Sequence, residues 1–169
     1  MNKKQKREIV QLFLAAKHFF NISKKQFNKL SPASQQIKMK DLAKKFENFT
    51  WSTEDKSLLI LTSYLSSCDI RISTIYEVMK IKPNKKALYG NNLLDIKHIC
   101  HFLRDNVCHS EPEEEEKNFK KRQDFIEGLT IKQLYEETRN ALIECKSTIV
   151  DFSNNYKALG NDVKKIKII

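Results

Sequence analysis

Residues 50–79 decide the fold: Thr50-Trp51-Ser52-Thr53-Glu54-Asp55-Lys56, then SLLILTSYLSSCDIRISTIYEVM to Met79. A hydroxyl residue followed by acids gives the first amides of a helix an acceptor and suits the positive end of its dipole. A long helix is therefore expected to start there. Leu58, Leu61, Leu65, Cys68, Ile72, Ile75 and Met79 recur at alternating steps of three and four, which lines their side chains into one apolar stripe. That stripe is expected to be core. Pro83, the polar Asn84-Lys85-Lys86 and Gly90-Asn91-Asn92 end the helix and make a connection.

Outward from this helix the pattern repeats. Leu93, Ile96, Ile99, Cys100, Leu103 and Val107 fall within an arc of about 120° at helical periodicity, giving a second helix over about 92–109. Pro112 bars the residue before it from helical geometry, so this helix is expected to finish near His109. The run Glu111-Pro112-Glu113-Glu114-Glu115-Glu116 followed by Lys117 to Arg122 reads as a solvated acidic loop over 110–122. Gly128-Leu129-Thr130 then opens a last long helix over about 130–155, with Thr130 as N-cap and Ile131, Leu134, Thr138, Ala141, Cys145, Ile149 and Phe152 on one side. Upstream, Ile9, Leu12, Phe13, Ala16 and Phe20 make a first helix, while Ile37, Leu42, Phe46 and Phe49 suggest a shorter one.

Composition agrees with this reading. Three Gly and three Pro in 169 residues are too few for the turns of an all-β architecture, given averages of roughly 7% and 5%. With 40% apolar and 31% charged residues the chain has enough apolar material to fold. The expectation is an all-α, antiparallel helical bundle of four to five helices, with 1–160 as one domain and 161–169 as a basic tail that is either strand-like or disordered. No run approaches the ~18 uninterrupted apolar residues of a membrane span, and no secretory leader is recognisable, so the expected setting is the cytoplasm with no membrane partner. Cys68, Cys100, Cys108 and Cys145 are expected as reduced thiols, since a chain with its own core does not need disulfides.

Charge points to a class of partner. Lys and Arg number 31 against 21 Asp and Glu, a surplus of 10; without the five glutamates of 111–116 it is 31 against 16. Such a surplus attracts polyanions through counterion release, and nucleic acid is the polyanion expected, although solubility alone is an alternative use of charge.

Three of the four histidines lie within residues 95–110, in Asp-Ile-Lys97-His98-Ile-Cys100-His101-Phe-Leu-Arg104-Asp105-Asn106-Val-Cys108-His109-Ser. On an unbroken helix Arg104 and His109 stand about 140° apart. They converge only if the helix loosens before Pro112 or if a twofold-related copy brings a second pair across. Arg104 borders the apolar stripe, a position that favours an anion for its guanidinium, and phosphate matches that planar fork.

Leu103-Arg104-Asp105-Asn106-Val107-Cys108-His109 resembles the Arg, polar residue, spacer, His signature of the HEPN family of all-α proteins, with looser similarity to about residue 152. The family most often has Asn directly after the Arg; here Asp105 stands there and Asn106 follows. The resemblance implies a metal-independent endoribonuclease without cofactors, serving as a toxin or antiphage effector. It also implies a homodimer with a composite site and an antitoxin or nucleotidyltransferase-like partner. His109 would move the proton of the ribose 2′-hydroxyl or the leaving oxygen, giving a 2′,3′-cyclic phosphate. Arg104 would neutralise charge on the phosphorus, and Asp105 or Asn106 would orient the site. Imidazole suits proton transfer near neutrality, and a fixed cation suits phosphoryl chemistry. His101, Lys97, Lys120, Lys121 and Arg122 are the expected RNA contacts.

Other uses of these residues stay open. An Arg and a His at a helix C-terminus are favourable through the dipole alone, and a non-catalytic basic module binding nucleic acid or a partner protein would need no more. His98, Cys100, His101, Cys108 and His109 include zinc-ligand chemistry but lack paired ligand spacing, so no metal is expected. Trp51, Tyr64 and Tyr89 are candidates for base stacking or for the core. His18 reads as solvated or half-buried, and Lys3, Lys4, Lys6, Arg7, Lys164, Lys165 and Lys167 as terminal cations able to meet phosphates.

Overall fold

The computed structural model describes residues 3–46, 52–81, 86–89, 92–95, 128–152 and 164–165. The chain is mostly helical: α1 (Lys3–Phe27), α2 (Pro32–Gln35), α3 (Met39–Phe46), α4 (Thr53–Met79) and α5 (Ile131–Phe152), with a short antiparallel hairpin of β1 (Lys86–Tyr89) and β2 (Asn92–Asp95).

The central helix is α4, and its ends are closed by its own sequence. Ser52 and Asp55 form a reciprocal capping box: the Asp55 amide donates to Ser52 Oγ at 3.1 Å and the Ser52 amide to Asp55 Oδ2 at 3.0 Å. At the other end Lys80 takes a left-handed conformation, φ 56°. Its amide donates to the Glu77 carbonyl and that of Ile81 to the Tyr76 carbonyl, at 3.0 and 3.2 Å, the paired bonds that close a helix C-terminus. Every residue of the expected stripe, from Leu58 to Met79, is buried. By length and composition alone α4 would pass for a membrane span, but it carries Asp69 and Arg71, and its apolar stripe is covered by α1 and α5.

α1 lays Ile9, Phe13, Ala16 and Phe20 against α4. The Ser23 hydroxyl donates to the Leu61 carbonyl near one end, at 3.4 Å, and Gln5 faces Val78 and Met79 at the other. The two helices are therefore antiparallel. α5 also runs against α1: Tyr135 stacks on Phe27 with ring centres 4.2 Å apart, and Phe152 reaches the Gln5 end. Thr138 meets Asp69, whereas ten residues on, Thr148 meets Tyr76. Both numbers rise together, so α4 and α5 are parallel. Ile81 and Gly128 therefore lie at opposite ends of the helical pack.

α5 begins as expected at Thr130. The Thr130 amide donates to Gln133 Oε1 at 2.9 Å and the Gln133 amide to Thr130 Oγ1 at 3.2 Å. Beside this cap, Lys38 and Thr130 form a bridge, with Met39 donating to the Leu129 carbonyl and Ile131 to that of Ile37 at 2.8 and 2.9 Å. The expected shorter helix corresponds to α3, and α2 precedes it as an additional short turn. Ser31 caps α2 ahead of Pro32, whose ring suits a first helical turn, and α3 follows with Leu42 buried.

The hairpin corrects one expectation. Residues 92–95, assigned by periodicity to the start of a helix over about 92–109, form β2, with Leu93 paired to Leu88 and Asn92 to Tyr89. A short apolar pair such as Leu93-Leu94 suits strand and helix periodicity alike. Residues 96–109, the acidic loop 110–122 and the tail, apart from Lys164 and Lys165, lie outside the described residues.

Candidate functional site

Arg104, Asp105, Asn106 and His109 lie outside the described residues, as do Lys97, His101, Lys120, Lys121 and Arg122. The same holds for His98, Cys100 and Cys108 of the zinc alternative, and for Trp51. Among the described residues no group of three or more His, Cys, Asp or Glu side chains is arranged to hold a metal ion. His18 is exposed, 6.0 Å from the Phe19 ring. Tyr64 is partly buried and packs on Phe19 with ring centres 5.8 Å apart, which places it with the packing residues.

Two polar features stand out among the described residues. The first is the seam between α4 and α5. Asp69, 2% exposed, accepts a 3.0 Å hydrogen bond from the Thr138 hydroxyl. One turn on, Ser73 is 1% exposed and its Oγ has no hydrogen-bond partner among the described residues. Burial, opposed by the Thr138 hydrogen bond and reinforced by the Glu137 carboxylate, pushes the Asp69 carboxyl up to about 8. Burial likewise raises both thiols, Cys68 with help from Asp69 and Cys145, and Cys145 with help from Glu144. Thiols held protonated are poor nucleophiles. The seam is thus a neutral polar layer in the core, and these cysteines act there as small apolar side chains.

The second feature is the distribution of charge. α1 carries seven basic residues, Lys3, Lys4, Lys6, Arg7, Lys17, Lys24 and Lys25, against Glu8 alone. α4 has two basic residues against four acids, and α5 three against four. The positive surplus is therefore uneven among the long helices. With Ile9, Phe13, Ala16, Phe20 and Ser23 of α1 turned into the core, Lys3, Lys4, Arg7 and Lys25 are exposed, with Lys6, Lys17 and Lys24 partly so. Lys164 and Lys165 are exposed as well.

Sequence reasoning singled out the N-terminal cations but neither the rest of the α1 face nor Asp69. The signal for Asp69 was present: from Ser57 to Ile70 it is the sole ionisable side chain besides Tyr64 and Cys68, and it follows a stripe residue. A search of family models finds none that matches the chain, and no curated protein and no solved structure matches it either.

Proposed function

We propose that this protein is a HEPN-like, metal-independent endoribonuclease acting in the cytoplasm as a toxin or antiphage effector. The observation that carries the reading is the sequence Leu103-Arg104-Asp105-Asn106-Val107-Cys108-His109 in a mostly helical, strongly basic chain. His109 serves as the proton-transfer group and Arg104 as the cation at the phosphate, with Asp105 or Asn106 orienting them. RNA is the substrate, and a homodimer supplies the composite site. An antitoxin or nucleotidyltransferase-like protein is the regulatory partner in this scheme. Support also comes from topology. Ile81 and Gly128 stand at opposite ends of the helical pack, so a helix over 96–109 running back between parallel α4 and α5 would complete an up-and-down bundle.

The test is single-stranded RNA incubated with chelator-treated protein. Products ending in 2′,3′-cyclic phosphate are expected from the wild type, and none from His109→Ala at unchanged helicity. Cleavage that survives in that variant would place the chemistry elsewhere. A second reading, a non-catalytic basic module, is favoured by the concentration of charge on α1, which needs no chemistry to be useful; RNA left whole but retarded in a gel would select it.

A further inference from the structure

We infer that the solvent face of α1 is a docking surface for the phosphate backbone of RNA. This deepens the RNA reading and rests on it only for the identity of the ligand.

The cations fall in two groups, Lys3, Lys4 and Arg7 at one end of α1 and Lys24 and Lys25 at the other, with Lys17 between. At 1.5 Å per residue, Arg7 and Lys24 are about 26 Å apart along the axis. A mononucleotide meets one group; a polynucleotide engages both. The helix that carries them is held from behind, because Ile9, Phe13, Ala16 and Phe20 are buried against the core. The spacing of the charges is thus fixed before binding, which lowers the ordering cost of association. Five of these six cations are lysines, compact point charges suited to phosphates and not to base edges, so the surface collects RNA without reading its sequence. A basic amphipathic helix also suits an anionic membrane, but that mode inserts the apolar face into lipid. In α1 this face is occupied by α4 and α5, so nucleic acid is the ligand that the exposed charges fit.

The test compares two pairs of charge reversals with identical change in net charge: Arg7→Glu with Lys25→Glu on α1, and Lys132→Glu with Arg139→Glu on α5, all four residues being exposed. The probe is a fluorescein-labelled 2′-O-methyl oligoribonucleotide of about 20 residues. Its blocked 2′-hydroxyls make binding readable whether or not Arg104 and His109 cleave RNA. The α1 pair is expected to weaken binding about tenfold or more near 0.1 M salt and to flatten the dependence of log affinity on log salt by roughly 1.4, two single-strand contacts' worth. The α5 pair should change affinity less than about threefold. Equal losses from both pairs would overturn the inference. So would losses confined to phosphatidylserine vesicles with RNA binding untouched.

Lysine reductive methylation of the wild type provides a readout free of folding artefacts: bound oligonucleotide should protect Lys3 and Lys25 but not Lys132. Uniform protection, or none, would count against the α1 surface. Failure to cleave unmodified RNA with this protection intact removes the ribonuclease reading alone; cleavage without it removes the docking surface alone.

Discussion

The Thr138 hydroxyl on α5 lies 3.0 Å from Oδ2 of Asp69 on α4, a buried contact that joins two parallel helices across the core. α1 offers no ionisable group to this seam from its buried face, which consists of Ile9, Phe13, Ala16, Phe20 and Ser23. The Glu137 carboxylate opposes ionisation of Asp69.

Stability should therefore fall as pH rises. The folded protein keeps a proton on Asp69 up to about 8, whereas the ordinary value is 3.8, so unfolding between these values releases a proton. Through that window the folded state loses roughly 1.4 kcal/mol per pH unit on account of this group, and the loss levels off above it. Asp69→Asn, which stays uncharged, should flatten the decline. Urea unfolding from pH 4 to 9 should show the variant gaining on the wild type as pH rises; parallel profiles would contradict the assignment.

Removing the donor should cost stability at any pH in that range. Thr138→Val leaves the shape of the contact but takes away the hydrogen bond to a buried carboxyl, at a cost of about 1–3 kcal/mol. A double-mutant cycle with Asp69→Asn measures the coupling. Ser73→Ala is expected to go the other way, to neutral or up to about 1 kcal/mol more stable, because the buried Ser73 hydroxyl is unsatisfied among the described residues.

Lys80→Gly should stabilise the protein by about 0.5–1 kcal/mol. Lys80 closes α4 at φ 56°, a conformation glycine adopts without the Cβ clash. A higher melting temperature is the expected result; a lower one would mean the lysine side chain contributes more than its backbone costs.

Cys68 and Cys145 should resist alkylation until the protein unfolds, since both are fully buried with their thiols held protonated. Mass spectrometry after brief iodoacetamide treatment should find these two unmodified in native protein and modified in denaturant.

The legible parts of the sequence were those governed by local rules. Leu58 to Met79 revealed their buried face because the period of a long helix is repeated often enough to exclude other readings. The stretch Thr50 to Asp55 and Thr130 marked helix starts because capping is short-range chemistry. Asp69 stood out as the lone carboxyl beside the stripe, but its hydrogen-bond partner was not legible, since Thr138 is sixty-nine residues away. At Leu93-Leu94 two periodicities fit, and pairing with Ala87-Leu88 decided for a strand. For Arg104 and His109 the sequence remains the source of the reading.

The bridge from Lys38 to Thr130 and the seating of α5 against both α1 and α4 make the protein separable without being dismantled. A backbone cut between Asp95 and Gly128 would leave two fragments whose mutual attachment is the core itself, so a nicked molecule should co-elute as one particle. The same property offers a complementation assay: the two complementary parts of a chain divided between Asp95 and Gly128, supplied as independent chains, should reassemble around the shared interior.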